Sequence, residues 1–436
     1  MLDANRQRAF ALEIVEKLRA AGFEALWAGG CVRDEVLGLV PKDYDVATSA
    51  TPDEIRNLFG RRRTLEVGAA FGVVTVLGPR TAGQIEVATF RTDAEYSDGR
   101  HPDAVTFTDA EHDAQRRDFT INGLFFDPVA QKIVDYVGGQ VDIERGIVRA
   151  IGDPRLRLRE DRLRMLRAVR FAATFNFEIE PQTFAAIQAM AGDIVSVSPE
   201  RIGMEIRRIL VDPNRARALE LLRDSRLLQH VLPELKELEA ATFECTLCTL
   251  SALHEPSLPL ALAALLSWER DAESREHRVL STQYEVQDTN SAVLLPAPSS
   301  LLPAQVGRRL RYTNKEIDRA AWLLQQLPTI EQAQQMPWPH LQRILIHEGA
   351  PELLALHESL VGQADPALAF CRERLAWPPE RLNPPPLIDG AALIEHGLAP
   401  GPQFAPLLEQ VRDAQLEGRI QTRDEALALV DRLRSM

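Results

Sequence analysis

The sequence lacks long apolar runs and lacks a secretion signal. Its 436 residues contain no apolar stretch of the ~20 residues that a bilayer-spanning helix needs. The N-terminus, MLDANRQRAF, has no signal-peptide core. We therefore expect a cytoplasmic protein that has no membrane partner.

Cysteine is also scarce, with four residues in the chain. Cys245 and Cys248 form one CxxC motif, but neither a second pair nor histidines at zinc-finger spacing accompany it. A single CxxC of this kind favours thiols that are on a helix and buried in the protein core over a zinc or redox centre.

Two common phosphate-binding fingerprints, GxGxxG and GxxxxGK[ST], are absent. In their place, AGGCVRDEVLG at 28–38 follows a predicted strand and opens a helix. Gly29 and Gly30 let the backbone approach a ligand, and the free N–H groups of a new helix favour phosphate. Arg33 lies one turn later, within reach of a phosphate oxygen. A Gly-Gly turn by itself more often marks only a tight turn, so its meaning depends on what surrounds it.

The charge is unevenly distributed. The formal net charge of −13 argues against non-specific nucleic-acid affinity over the whole surface. Between residues 155 and 170, however, seven arginines stand against only Glu160 and Asp161. These arginines are Arg155, Arg157, Arg159, Arg162, Arg164, Arg167 and Arg170. A basic cluster in an acidic chain predicts one place that holds a polyanion.

The predicted elements divide the chain into two regions. Up to about residue 150, strand-like segments alternate with helices, which predicts a mixed α/β unit. These segments are EALWAG, KDYDVAT, GVVTVLG, QIEVATF, AVTF, LFFD and KIVDYV. Amphipathic helices predominate from about residue 155 onward. The polar and then proline-rich segment 283–303 is predicted to be a loop or linker.

Two aspartates lie one residue apart in VPKDYDVATSATPDEI, residues 40–55. Alternate side chains of a strand share a face, so a strand here would point Asp43 and Asp45 the same way. Thr51 and Glu54 then form a capping box that starts a helix. An isolated DxD is most often a pair of solvated surface acids. Paired carboxylates next to substrate phosphates are also a typical Mg²⁺ site.

Five motifs in a fixed order carry a resemblance. GGCVRD with KDYDVAT resembles the opening signature of nucleotidyltransferases shaped like DNA polymerase β. The later motifs are RRDFTING at 116–123, DYVGGQVDIERGIVRAIGD at 135–153, REDRLRMLRAVRFAA at 159–173 and SPERIGMEIRRIL at 198–210. Together they resemble class II tRNA nucleotidyltransferases (CCA-adding enzymes) and bacterial poly(A) polymerases, over roughly residues 20–215.

This resemblance implies an α+β fold with three parts. A polymerase-β-like head with a mixed sheet would occupy residues 1–150 and hold the metal and triphosphate site. A helical neck, 151–215, would select the nucleobase. A helical body and tail, 216–436, would bind tRNA.

The resemblance also implies a catalytic role for three carboxylates. Asp43 and Asp45 would bind two Mg²⁺ ions, which suits phosphoryl transfer with pyrophosphate as the leaving group. Glu86 in QIEVATF is the candidate for a third catalytic carboxylate, and a plain surface glutamate is the alternative.

Nucleotide binding is implied for further residues. Gly29, Gly30, Arg33 and Arg117 would contact the triphosphate, and Asp118 the ribose 2′-hydroxyl. The alternative for RRDFTING is a structural pair of Arg117 and Asp118 that caps a helix.

Base selection is implied for Asp161 and Arg164. They are three residues apart on a predicted helix, so they would be neighbours on one face. Asp161 would accept from an exocyclic amine, and Arg164 would donate to the ring of the base. Arg167 and Arg170 would face triphosphate or RNA backbone.

The function that the resemblance implies is template-independent addition of CCA to tRNA 3′ ends from CTP and ATP. The alternatives are a poly(A) polymerase, an A-adding or CC-adding tRNA enzyme, and a non-catalytic tRNA-binding module. Phe71, in VGAAFGVV at 67–74, stands where many CCA-adding enzymes have histidine, and residues 93–105 resemble the loop that helps the switch from C to A. We expect no DNA partner, and the sequence does not indicate an oligomeric state.

Overall fold

The computed structural model describes residues 4–65, 72–93, 105–268 and 301–435. The chain divides into two compact units, Met1–Leu238 and Glu239–Met436. All the described strands belong to the first unit, and the described residues of the second unit form helices and their connections. The expected three-part division at residues 150 and 215 stays a prediction.

The first unit combines short strands with helices. Its described helices are α1 (Ala4–Ala20), α2 (Gly30–Val36), α3 (Pro52–Phe59), α4 (Ala110–Gln115), α5 (Gly139–Arg145), α6 (Pro154–Glu160), α7 (Arg164–Thr174), α8 (Pro181–Met190), α9 (Pro199–Val211), α10 (Arg215–Asp224) and α11 (Leu228–Val231). Its described strands are β1 (Ala25–Ala28), β2 (Asp45–Thr48), β3 (Thr64–Leu65), β4 (Val73–Leu77), β5 (Gln84–Thr89), β6 (Arg91–Asp93), β7 (Val105–Phe107), β8 (Phe125–Asp127), β9 (Lys132–Val134), β10 (Ile147–Val148) and β11 (Glu178–Ile179).

Seven of these strands form one mixed sheet in the order β3-β4-β5-β2-β1-β8-β9. The pair β2 and β5 is parallel, and the other neighbours are antiparallel. This sheet followed by helices confirms the predicted α+β, polymerase-like fold class. Each of the seven predicted strand segments contains an observed strand.

One end of the sheet brings three sequence motifs together. β1 runs antiparallel to both β2 and β8, with Trp27 opposite Val46 and Ala28 opposite Phe125. The end of β1 therefore lies beside the beginnings of both partners. The Gly-Gly turn after β1, the DxD at the start of β2 and the RRDFTING segment before β8 consequently meet at this end.

The predicted strand over KDYDVAT is shorter than expected. β2 begins at Asp45, so Asp43 precedes the strand and the prediction that both aspartates lie on one strand face is wrong. The register with β1 would place Gly30 opposite Asp43, but α2 begins at Gly30. Asp43 therefore has no strand partner on that side.

The DYVGGQVD motif packs against RRDFTING. The Asp135 carboxylate accepts hydrogen bonds from the four backbone N–H groups of residues 137–140, which shapes the turn into α5. Gly139 then lies so close to Thr120 that an added Cβ would be 2.2 Å from the Thr120 carbonyl oxygen. Asp142 accepts a 2.7 Å hydrogen bond from the Thr120 hydroxyl. The DYVGGQVD segment therefore fixes the position of RRDFTING.

The second unit contains the described helices α12 (Ala240–Ala252), α13 (Leu258–Leu266), α14 (Leu301–Arg309), α15 (Asn314–Glu331), α16 (Trp338–Leu345), α17 (Ala350–Val361), α18 (Pro366–Leu375), α19 (Pro379–Leu382), α20 (Gly390–Glu395), α21 (Phe404–Leu416) and α22 (Arg423–Ser435). α13 is buried almost all round and packs against α12, α15 and α17. A separate core of Leu393, Val411, Ala414, Ala426 and Val430 joins α20, α21 and α22. No helix of the described part of the chain is long and apolar enough to cross a membrane.

Two predictions for this unit need correction. Cys245 and Cys248 do lie on a helix, α12, but both are exposed, because Phe243, Leu247 and Leu250 occupy its buried face. The predicted loop 283–303 ends early, since residues 301–303 belong to α14, and residues 283–300 lie outside the described ranges.

We predict that Gly139→Ala destabilises the first unit by about 1–3 kcal/mol, because its Cβ would overlap the Thr120 backbone. Chemical denaturation checks this. Gly192→Ala is the matched control, because its Cβ would meet His230 at an ordinary 3.9 Å. Equal stability of the two variants would contradict the packing argument.

Candidate active site

One cavity of about 620 Å³ in the first unit collects the predicted residues. Its lining comprises Gly29, Gly30, Arg33, Asp43, Asp45, Arg116, Arg117, Asp118, Asn122, Asp161, Leu163, Arg164, Arg167, Arg170, Phe171 and Arg201. Eleven of the twelve predicted site residues are in this lining, and Glu86 is the exception. Seven arginines face only four aspartates, which suits a ligand with several negative charges.

The Gly-Gly turn makes room for an arginine. Gly29 has φ of +72°, and a Cβ there would be 2.9 Å from the guanidinium of Arg117. Arg33 in α2 is buried and donates to the Asn122 side chain at 2.6 Å. Two guanidinium groups, those of Arg33 and Arg117, therefore lie beside the turn, an arrangement suited to phosphate oxygens.

The acidic end of the cavity combines elements of two strands. Asp45 lies directly opposite Glu86 in the parallel pair of β2 and β5, although Glu86 is outside the cavity lining. Desolvation within the cavity, together with the charges of Asp43 and Glu86, raises the pKa of Asp45 from 3.8 to about 7, and Arg117 opposes this shift. The charged form of Asp45 is thus disfavoured, and a bound cation would stabilise it.

This acidic end fits a divalent metal bound with the help of substrate. In the described ranges, no group of three or more His, Cys, Asp or Glu side chains forms a metal site. Asp43 and Asp45 could hold a metal ion if phosphate oxygens and water completed its shell, which is how Mg²⁺ is usually bound. Glu86 as a third catalytic carboxylate stays a prediction.

Arg117 and Asp118 do not form the pair considered as a structural alternative. Arg117 binds the buried Asp113 at 2.9 Å, and Asp118 binds Arg167 at 2.6 Å. Burial by itself would raise the pKa of Asp118, but Arg167, Arg164 and a hydrogen bond from Asn122 lower it to about 2. Asp118 is therefore an ionised acceptor at the cavity wall, as a contact with a ribose hydroxyl requires.

Asp161 and Arg164 are not on one helix, contrary to the prediction. α6 ends at Glu160, and Asp161 has extended backbone angles of −144° and 105°. Its carboxylate accepts the backbone N–H of Leu163 at 3.0 Å, just before α7 begins. Arg164 instead pairs with Glu160 at 2.6 Å. The break between α6 and α7 still brings both side chains to the cavity.

Phe171 is a cavity residue that sequence analysis missed. The guanidinium carbons of Arg170, Arg167 and Arg33 lie 4.1, 5.2 and 5.3 Å from its ring centre. Cations favour the face of an aromatic ring, so the ring of Phe171 helps to hold three arginines close together. Its position four residues after Arg167 was the available signal.

Further cavity residues were also missed, namely Arg116, Asn122, Leu163 and Arg201. All of them lie within the quoted motifs, which was the only signal in the sequence.

Two family models match this half of the chain. Residues 25–149 match the Poly A polymerase head domain, and residues 176–239 match the probable RNA and SrmB-binding site of polymerase A. Residues 25–149 and 176–239 thus resemble the head and RNA-binding domains of a nucleotidyltransferase family, and this resemblance implies the use of a divalent metal.

Individual CCA-adding enzymes agree with this assignment. The one from Ligilactobacillus salivarius is 42% identical over 221 residues, covering 50% of this chain and 54% of that protein. The one from Lactiplantibacillus plantarum is 39% identical over 275 residues, covering 62% and 65%. The chain thus matches 54% and 65% of the length of these two curated relatives. The crystal structure of the Bacillus stearothermophilus CCA-adding enzyme in complex with CTP superposes with a TM-score of 0.75 at 29% identity, covering 98% of this chain and 97% of that one.

We predict that Asp45→Asn raises thermal stability in EDTA. In the wild type the pKa of Asp45 is higher in the folded state than in the unfolded state. The free energy of unfolding therefore falls as pH rises from about 4 to 7, and it does not recover above pH 7. Because Asp45 is desolvated in the cavity but keeps accessible surface that screens these charges, we expect a gain of about 1 kcal/mol, or ~2–4 °C, at pH 8.

Melting curves between pH 5 and pH 8 measure this gain, which should grow with pH up to about 7. Asp53→Asn, an exposed acid in the first turn of α3, is the control, and any shift in melting temperature that it causes should be the same from pH 5 to pH 8. A gain independent of pH would contradict the assigned cause.

Proposed function

We propose that this protein is a template-independent RNA 3′-nucleotidyltransferase of the cytoplasm that adds CCA to tRNA 3′ ends with Mg²⁺. CTP and ATP are its substrates, and pyrophosphate is released. The observation that carries the proposal is the single cavity in which paired carboxylates face an arginine-rich wall. The similarity to CCA-adding enzymes, one of them in complex with CTP, supports the substrate.

The acidic end would serve the reacting groups. Asp43 and Asp45 would hold the metal ions, whose chemistry when bound is to activate the attacking hydroxyl and neutralise the leaving pyrophosphate. Arg33 and Arg117, on either side of the Gly-Gly turn, would bind the triphosphate and hold its α-phosphate in line with the tRNA 3′-hydroxyl. Asp118 would accept from the ribose 2′-hydroxyl. Catalysis of this type depends on positioning and charge stabilisation.

The neck side of the cavity would choose the base. Asp161 would accept from the exocyclic amine that cytosine and adenine share, and Arg164 would donate to the ring acceptors. Uracil and guanine present a carbonyl oxygen where the amine would be, which places one acceptor against another. A protein template with these two side chains therefore favours CTP and ATP over UTP and GTP.

A poly(A) polymerase is the second candidate, because the matched domains carry that name. It would need only ATP and would not require tRNA. The individual relatives reported above are CCA-adding enzymes, which favours the tRNA substrate, to which residues 216–436 would bind.

We predict stepwise incorporation of C, C and A on tRNA transcripts ending before CCA, after C and after CC. Labelled CTP and ATP with Mg²⁺ measure it, and an unstructured RNA and EDTA serve as controls. Long A tails on any RNA would make the protein a poly(A) polymerase. Addition of A only after CC would make it an A-adding enzyme, and a folded but inactive protein would leave tRNA binding alone.

We predict that Asp43→Asn lowers incorporation more than about 100-fold, because it removes a metal ligand and its charge. Single-turnover rates with CTP check this. Asp53→Asn, a nearby acid outside the cavity lining, should keep the wild-type rate. Unchanged incorporation by Asp43→Asn would remove the carboxylate pair from the mechanism.

A further inference from the structure

Asp161 is held by an arginine that the proposed mechanism does not use. The guanidinium of Arg201, on α9, lies 2.7 Å from the second carboxylate oxygen of Asp161. The two side chains are only 17% and 16% exposed, and both line the cavity. An ion pair this sheltered is less screened than a surface pair, so it constrains both partners.

The two oxygens of Asp161 are thereby bound from different directions. One accepts the backbone N–H of Leu163, and the other accepts from Arg201. A carboxylate anchored at both oxygens cannot rotate about its last bond without losing one of these contacts. Each oxygen keeps a further lone pair, so Asp161 can still accept from a base that enters the cavity.

α9 provides a rigid support for this contact. One turn after Arg201, the buried Glu205 accepts from Arg170 and from Arg208, each at 2.7 Å. The helix is itself anchored by Ile202, Ile206, Ile209 and Leu210, all of them buried. One face of α9 therefore holds an anion and a cation of the cavity: Arg201 pairs with Asp161, and Glu205 pairs with Arg170.

We propose that Arg201 is a positioning residue for nucleobase selection. It holds the Asp161 carboxylate in the orientation that accepts an exocyclic amine and rejects a carbonyl oxygen. This inference rests on the proposed function, because it assigns Asp161 to the base. A site that hydrogen-bonds a substrate amine discriminates strongly only when its own group is fixed.

Two other roles for Arg201 predict different kinetics. As one more phosphate ligand it would raise the KM of all four nucleotides alike, since they share the triphosphate. As a purely structural residue it would lower stability and slow all four equally. Positioning of Asp161 changes the ratio between nucleotides, which neither of the other roles does.

The test uses Arg201→Met in the full chain, with kcat/KM measured for CTP and UTP on tRNA ending before CCA, and for ATP and GTP on tRNA ending in CC. We expect the CTP/UTP and ATP/GTP ratios to fall about 10- to 100-fold, the value of a charge-assisted hydrogen bond. Arg208→Met is the matched control on the same helix. Arg208 is 57% exposed and outside the cavity lining, so its replacement should leave both ratios unchanged.

A second pair of variants guards against a folding defect. Arg201→Lys keeps the cation but loses the planar fork, so it should fold and give intermediate ratios. In an Asp161→Asn background, Arg201→Met should cause no further fall in either ratio, because the two residues act through one contact. A further independent fall would overturn the inference.

The remaining outcomes separate the inference from the proposed function. An active wild type whose ratios survive Arg201→Met and Arg201→Lys overturns the inference alone. A uniform loss for all four nucleotides does the same, and assigns Arg201 to phosphate or to structure. A folded wild type that incorporates no nucleotide overturns the proposed function, and the inference with it.

Discussion

The pairing of arginine with carboxylate around one cavity is the constraint on which the rest of this site depends. Seven guanidinium groups face a volume of about 620 Å³, where they would repel one another in isolation. Each of them contacts a carboxylate. The pairs are Arg33–Asp34, Arg116–Asp113, Arg117–Asp113, Arg164–Glu160, Arg167–Asp118, Arg170–Glu205 and Arg201–Asp161. Each guanidinium has five donors, which is more than its contact with one carboxylate uses.

These carboxylates come from several elements that are far apart in the chain. Asp113 belongs to α4, Asp118 to the turn before β8, and Glu205 to α9. The segment around Thr120 is fixed in turn by Gly139 and Asp142. Motifs that contribute nothing to the cavity lining therefore set the positions of those that do. Loss of one such support would displace several arginines together.

The cavity is electrostatically divided. At the sheet end, desolvation and the charges of Asp43 and Glu86 raise the pKa of Asp45, and a bound cation would counteract this shift. At the helical end, the arginines outnumber the acids. A nucleoside triphosphate bound with a divalent metal carries both signs of charge, so its metal would suit the acidic sheet end and its phosphates the arginines of the helical end. The arrangement stores unfavourable like-charge contacts that the ligand relieves, as functional sites commonly do.

Much of the fold was predictable because period-two and period-3.6 patterns are local. The seven strand segments and the capping box at Thr51 are present as predicted. Predictions were wrong where contacts with other residues or elements determined the local structure. Asp43 lies outside β2 because α2 occupies the position of its strand partner. Cys245 and Cys248 are exposed because larger apolar residues take the buried face of α12.

The sequence by itself determined the set of chemical groups, since the motifs name eleven residues that the cavity brings together. Their roles stay predictions, and Phe71 and residues 94–104 lie outside the described part of the chain. Only the tertiary structure decided which groups meet. The break at Asp161, the ring of Phe171 among three arginines, and the reach of Arg201 from a helix 40 residues away depend on packing between elements. A linear pattern records the spacing of residues along one element, and contacts across elements leave no such period.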